Sequence, residues 1–356
     1  MENIASPKRS VTVADVAKAA AVSKATAARV LGGYGTVSDK VRDKVIAAAA
    51  ELEYRPNELA RSMSTGKSGT IGVIVGDIEN AFFSLAVRGI SDVARTAGFN
   101  VIIANSGEEL SAEQSAIDLL IGRRVDGLIV TPSNCGEYDH LSNAVRVGVP
   151  LVLFDRTIPS LKVDAVTGAD RDAAMAATRH LQEAGHRRIA YVTAREGAVG
   201  EFFTSESQLP TSSVLQRVQG FIEAQSANGI DDAHRHVRLG ASDQEHTDAV
   251  ISLLLSEPAA PTAILASDSL VGLQVFRSLQ TLGVSVPEQV SVISFFNADW
   301  TTVTSPPVSV VDQPVYEMGR LAAERLLARI DGSETPETHL SLATSLIHRG
   351  SVARCK

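Results

Sequence analysis

Residues 14–31 read ADVAKAAAVSKATAARVL, alanines and valines at helical spacing around three basic side chains, Lys18, Lys24 and Arg29. Just upstream, Thr12 and Asp15 form the pattern Thr-x-x-Asp, a capping box that predicts a helix from about Val13. Val13, Val16, Ala17 and Ala20 then share one face. After Ala21 and Val22, Ser23 is a second N-cap. The helix it opens runs through Leu31 with Val22, Ala27 and Val30 inward. GGYGT at 32–36 breaks that helix, and Ser38 caps a third with the stripe Val41, Val45, Ala48, Ala49 and Leu52. Three short helices with a tight turn between the first two describe a helix-turn-helix unit.

Lys24, Ala25 and Arg29 are left facing out on the second helix, with Thr26 beside them. A short basic face at a helix start suits insertion into a DNA major groove. Thr12 and Ser23, at helix N-termini, suit phosphate contacts that position without reading sequence. A three-helix bundle with a solvated polar face fits the same spacing, which leaves both open.

The next segment, YRPNELARSMSTGKSG at 54–69, offers Asn57 as an N-cap after Pro56 and a helix from Glu58 to about Ser64, stopped by Gly66. Two turns without a large apolar face are marginal alone. Against DNA, Arg61 and Met63 would supply a cation and an apolar wedge for the minor groove; a flexible linker is the plain alternative. Gly66-Lys67-Ser68 is not a phosphate loop. Arg61 stands where that motif needs glycine, and the order of strand and helix is reversed.

The charge is unevenly placed along the 356 residues. The whole chain has 33 Lys and Arg against 41 Asp and Glu, but residues 1–68 hold 11 against 7. A basic head on an acidic body directs nucleic-acid contact to the head. Two cysteines, Cys135 and Cys355, exclude a disulfide framework. No apolar run reaches the length of a membrane span, and MENIASPKRS lacks the apolar core of a secretory signal. A soluble cytoplasmic protein without membrane contact is expected. No Gly-x-Ser-x-Gly or His-Glu-x-x-His occurs to support a hydrolase. His234, His236 and His246 have the spacing of a strand with flanking loops, so no metal is expected, nor any cofactor.

From Ile71 the texture changes. TIGVIV, NVIIAN, DGLIVTP, PLVLFD and VDAVTG read as buried strands, with helical stretches near 83–97, 111–122 and 138–147 separating the first four. RIAYVTA, HVRLG, AILAS and VSVISFF form a second series, with helices near 170–184, 214–227, 243–255 and 269–282. Strands alternating with helices mean parallel sheets, and two series mean two α/β lobes. Such lobes bind ligands in a crevice at the carboxyl ends of their strands.

The runs VTVADVAKAAAVSKATAARVL, VSDKVRDKVIAAAAELEYRPNELARSMSTGKSGTIGVIV, GHRRIAYV and RVQGF make the chain resemble the lactose-repressor/galactose-repressor family of bacterial transcription regulators, from about Val11 to the final HRGSV. The resemblance implies an all-α helix-turn-helix domain at 1–56, a hinge helix and linker at 57–68, and a two-lobed body like periplasmic binding proteins at 69–356. Its N-lobe would span about 69–165 and 315–340, its C-lobe about 166–312 and 341–356. It also implies that Lys24, Ala25 and Arg29 read bases and that Ala60 and Met63 lie on the hinge helix. Ala27-Ala28 stands where Val-Ser is usual, and Met63 where a leucine is usual.

In the body, the candidate effector contacts are strand-end polar and aromatic residues. They are Asp77, Asn80, Phe82 and Phe83 in GDIENAFF, Asp155 and Arg156 after VLF, Arg217 before VQGF, and Ser267 and Asp268 after ILA. Each also suits capping the next helix. In VISFFNADW, Phe296 and Asn297 replace the family's paired acids, which disfavours a plain polyhydroxylated sugar. A sugar phosphate or nucleoside-like effector becomes more plausible beside the sugars. The long polar segment before Arg217 is a candidate pocket wall. The resulting expectation is an effector-responsive repressor, dimeric on a pseudo-palindromic operator; a two-lobed solute-binding protein without a regulatory role is the alternative.

Overall fold

The computed structural model describes residues 11–32, 35–54, 67–194 and 198–355. The chain divides into two compact units, Met1–Gly69 and Thr70–Lys356.

Among the described residues the first unit has three helices, α1 (Val13–Ala19), α2 (Lys24–Gly32) and α3 (Asp39–Glu51). The capping box forms: the Asp15 amide donates to Thr12 Oγ1 at 3.4 Å, and the Thr12 amide to Asp15 Oδ2 at 2.8 Å. Ser23 Oγ accepts from the Thr26 amide at 3.1 Å. Ser38 holds the N-cap position of α3, but its side chain makes no capping bond there. The turn between α1 and α2 passes through Ala21 at φ +53°. Val16, Ala17, Ala20, Ala27, Val45 and Ala48 form the core, with Val22, Val30, Leu52 and Tyr54 against it. Small side chains let three short helices close on one another.

Among its described residues the second unit contains two six-stranded sheets. Twelve strands are numbered in chain order. The N-lobe sheet contains β1 (Thr70–Val75), β2 (Asn100–Asn105), β3 (Gly127–Val130), β4 (Leu151–Phe154), β5 (Asp164–Gly168) and β11 (His339–Leu342). The C-lobe sheet contains β6 (Ile189–Val192), β7 (Val237–Arg238), β8 (Ala263–Ala266), β9 (Ser291–Phe295), β10 (Ser309–Asp312) and β12 (Ser345–Ile347). Their orders are β11-β5-β4-β3-β1-β2 and β12-β10-β9-β8-β6-β7. All pairings are parallel except β12 on β10.

The helices of this unit are α4 (Ala81–Thr96), α5 (Leu110–Gly122), α6 (Asp139–Arg146), α7 (Asp170–Glu183), α8 (Ser212–Ala227), α9 (Gln244–Ser256), α10 (Ser269–Thr281), the short α11 (Trp300–Val303) and α12 (Val315–Ile330). The chain passes between lobes after β5, after β10 and after β11. Because β5 ends at Gly168 and β11 at Leu342, these passages lie a few residues beyond the expected 165 and 340.

Two helix pairs close by backbone approach. A Cβ on Gly89 of α4 would stand 2.2 Å from the Tyr316 carbonyl oxygen, and one on Gly319 of α12 would stand 2.2 Å from that of Ala86. In the C-lobe, a Cβ on Gly220 of α8 would lie 2.1 Å from the Arg171 carbonyl oxygen on α7. Only glycine permits such contact.

One expectation needs correction. NVIIAN is an edge strand rather than a buried one, with Ile102 39 % and Ile103 44 % exposed. An apolar run does not reveal that strand order leaves it on the rim.

Candidate functional site

The outward face of α2 is as expected: Lys24, Ala25 and Arg29 are exposed, Thr26 half-buried, and Ala27 buried beneath them. The Ser23 hydroxyl bonds both the Thr26 amide and, at 2.9 Å, the Thr26 hydroxyl, which fixes the helix start. Asn57, Ala60, Arg61 and Met63 lie outside the described residues.

In the second unit, strand ends from both lobes converge on a cleft. Its wider part is a cavity of about 460 Å³, lined by Asp77, Asn80, Phe83, Arg156 and Asp268. A deeper part of about 110 Å³ adds Phe82, Asp155, Ser213, Arg217, Phe296 and Gln313. Asn80 and Asp268 also cap helices: Asn80 Oδ1 accepts from the Phe82 amide at 3.0 Å, and Asp268 Oδ1 from the Leu270 and Val271 amides at 2.9 Å. Capping and lining are compatible, because the cap sits at the strand's carboxyl end.

Charge at the deep end is held in buried pairs. Arg217 Nε donates to Asp170 Oδ1 at 2.6 Å and its Nη1 to the Ser267 carbonyl at 2.7 Å, while its guanidinium lies 4.5 Å from the centre of the Phe295 ring. Arg156 forks onto Glu108 at 2.6 and 2.8 Å and donates to the Pro132 carbonyl at 2.8 Å. Burial pushes the Asp170 carboxyl up to about 6, with Arg217 opposing. Burial raises Asp155 too, against the pull of Arg156 and Arg217, and Ser213 Oγ donates to its Oδ2 at 3.1 Å. Asp155 Oδ1 and Asp170 Oδ2 are buried without a hydrogen-bond partner. Of the two, Asp155 lines the deep part of the cleft, where an unsatisfied buried acceptor is a place for a ligand's donor.

Phe82 packs edge-on against Phe83 and Phe296, with ring centres 5.2 and 5.8 Å apart. These rings give one side of the deep end an apolar face. Phe296 sits at φ +68° and Asp155 at φ +64°, each immediately after a strand, so both turns aim the side chain into the cleft. Leu209, Pro210, Thr211 and Val214 line the wider cavity, placing part of the long polar segment on its wall.

Two expected residues are placed differently. Ser267 is fully buried behind the wall, its hydroxyl donating to Asp268 Oδ2 at 2.7 Å. Asn297 does not line the cleft; its Oδ1 accepts from Arg349 Nη2 at 2.6 Å, so the side chain ties the strand end to the C-terminal segment. Sequence reasoning missed Glu108, Asp170 and Gln313. It also missed Glu113, a buried acid accepting from the Ser133 amide at 2.5 Å and 2.7 Å from His140 Nε2, which braces the wall. Their partners lie 20 to 143 residues away in sequence. An acid at the start of a helix, as Asp170 is, was the one local signal.

Residues 12–57 match the model for bacterial regulatory proteins of the lacI family. Residues 178–352 match the periplasmic binding protein-like domain. The catabolite control protein A of Priestia megaterium is 31 % identical over 93 % of this chain and 95 % of its own length. The chain belongs to the lacI family. The HTH-type transcriptional repressor CytR of Escherichia coli (strain K12) is 32 % identical over 96 % of each chain. A crystal structure of the lac repressor dimer bound to operator and the anti-inducer ONPF superposes with a TM-score of 0.81 at 25 % identity, covering 97 % of this chain and all of that one. As a lacI-family member the protein is a ligand-responsive, DNA-binding regulator of transcription and not an enzyme. No helix among the described residues is long and apolar enough to cross a membrane.

Proposed function

We propose that the protein is a cytoplasmic repressor of a catabolic or transport operon, in which α2 reads one operator half-site and the cleft of the body binds the effector that controls that reading. The observation that carries it is the exposed Lys24, Ala25 and Arg29 face on a helix whose start is fixed by Ser23. Lys24 and Arg29 supply charge and base-edge donors, and the α2 N-terminus supplies phosphate-binding amides. Residues 1–56 form the DNA-binding domain. Residues 57–68, with Asn57, Ala60, Arg61 and Met63, form the minor-groove hinge, and 69–356 the effector-binding and dimerising body.

Twofold symmetry in the homodimer requires a pseudo-palindromic operator. The exposed apolar side chains of the N-lobe rim, Ile102 and Ile103 on β2 and Leu85 on α4, suit the subunit contact. In the cleft, Asp155, Arg217, Asp268 and the rings of Phe82, Phe83 and Phe296 hold the effector. Effector binding changes operator affinity, and by reciprocity operator binding changes effector affinity by the same factor, a coupling typically on the order of 1–3 kcal/mol.

The test is a gel-shift titration on DNA from upstream of the protein's own gene. Arg29→Ala removes a base contact worth about 1–3 kcal/mol, so preference for the operator over random duplex collapses while effector affinity is retained. Undiminished preference in that variant sinks the assignment of α2.

A further inference from the structure

Glu108 stands apart from every other acid in the cleft. Its carboxylate forks the Arg156 guanidinium through both oxygens, and Arg156 Nη1 also donates to the Pro132 carbonyl. The fold makes a seat for this pairing. Ser106 pins the loop to the end of β1, its amide donating to the Val75 carbonyl at 2.9 Å and its hydroxyl to the same oxygen at 3.2 Å. Gly107 at φ +61° and Glu108 at φ +62° then take consecutive left-handed conformations, the second rare for a residue with a side chain. Gly76, one residue past β1, makes the room: a Cβ there would lie 2.0 Å from Glu108 Oε1 and 2.6 Å from its Cδ. Three independent features therefore hold one carboxylate against one guanidinium on the cavity wall.

An arginine fork in a cleft is the group that most readily takes a phosphate or carboxylate from a ligand. Here both terminal nitrogens of the fork are already taken by Glu108, whose side chain is 41 % exposed, and the remaining Nε is buried without a hydrogen bond. The other cleft guanidinium, Arg217, is paired with Asp170. Burial alone would lower Arg156, but the charge and hydrogen bonds of Glu108 more than reverse this, so the arginine stays charged and paired.

We propose that Glu108 is a specificity-determining residue, a resident anion that occupies the Arg156 fork and so restricts the cleft to effectors without a phosphate or carboxylate group. This rests on the assignment of the cleft as the effector site. It selects, among sugars, sugar phosphates and nucleoside-like molecules, the uncharged ones. A ligand anion would have to expel Glu108 from its socket or share the fork with it, and like charges at that distance repel.

Full-length protein is titrated by calorimetry with inorganic phosphate, at ionic strength matched with potassium chloride. It is also screened by thermal shift against a panel of uncharged sugars and nucleosides. Wild-type protein is expected to show no saturable phosphate binding. Glu108→Gln keeps the shape, frees the fork of its counter-charge, and is expected to bind phosphate saturably, with a dissociation constant about tenfold or more below the lower limit set for wild type; adding Arg156→Gln to it abolishes the gain. Gly76→Ala reaches the same end by pushing the Glu108 carboxylate out, and decides the matter if Glu108→Gln does not fold. Wild-type binding of phosphate as tight as the variant's, or a folded variant with no gain, overturns the proposal. An uncharged ligand that stabilises both proteins while phosphate binds neither overturns it alone and leaves the effector site standing. A panel in which no uncharged compound shifts any of the proteins, with phosphate binding none of them, removes the effector-site assignment itself.

Discussion

The two lobes of the body are built on one plan. Each has six strands in the same relative order, and each packs a helix pair by letting a glycine meet the neighbouring backbone. They differ at the rim and in how they hold charge. The N-lobe ends in a six-residue strand with exposed isoleucines, the C-lobe in a two-residue strand that is buried. Phe202 and Arg238 cover that short edge, the guanidinium 4.0 Å from the ring centre, and Phe202 bridges to Arg238. The N-lobe arginine, Arg156, pairs with a carboxylate that still reaches solvent; the C-lobe arginine, Arg217, pairs with Asp170, which is 1 % exposed. The same topology thus serves an open, contact-ready half and a closed half that stores a buried ion pair.

The largest effect is expected from breaking that pair. Arg217→Ala strands a buried carboxylate, which costs about 3–5 kcal/mol of stability, whereas Arg156→Ala costs less because Glu108 regains water and Asp155 keeps the pull of Arg217 and the Ser213 hydroxyl. Adding Asp170→Asn to Arg217→Ala restores most of the stability but not the response of operator binding to effector. Chemical denaturation and gel shifts on the four proteins check this; equal losses for the two arginines would erase the contrast between lobes.

The glycine crossings measure where the lobes are alike. Gly220→Ala and Gly89→Ala should each destabilise by about 1–3 kcal/mol or more through overpacking, read by thermal unfolding. A tolerated alanine at either site breaks the symmetry. The rim is where they diverge. Ile103→Asp should leave the unfolding temperature almost unchanged and weaken self-association, measured by sedimentation velocity. A loss of stability without a change in assembly would mean that β2 is covered within its own subunit.

The smallest effect is a dependence on pH. Asp170 ionises near 6 in the native protein and near the ordinary value of 3.8 in the unfolded chain. Between the two, only the folded state holds the proton. This group therefore stabilises the fold below about pH 4 and loses that contribution as pH rises through 6. Asp170→Asn should flatten the slope of unfolding temperature against pH in that window; an unchanged slope assigns it to other groups.

What was legible in the sequence follows the range of the interactions. Thr12 with Asp15, and Ser23 with Thr26, act across three residues and were readable as local patterns. The alternation of apolar runs and amphipathic stretches gave two α/β lobes, and strand ends gave Asp155, Arg156 and Asp268. Arg217 stood out by its place before VQGF. Strands β11 and β12 escaped because they are short and, in THLSL and SLIH, partly polar, whereas β10 is a buried apolar run of the same length as β3 and carried a readable signal. The pairing of β11 with β5 and of β12 with β10 holds them, rather than an apolar run. Glu108 escaped for a similar reason. An acid in a loop after a strand reads as solvated, and only the fold reveals the guanidinium 48 residues on.

The three passages of the chain between lobes, after Gly168, Asp312 and Leu342, lie side by side at one margin of the two sheets. Three tethers at one margin, two running one way and one the other, oppose sliding and pulling apart, so a swing about that margin is the movement expected. A ligand closing the cleft would then act through one angular coordinate, the simplest signal that a body of this kind could pass to its twin.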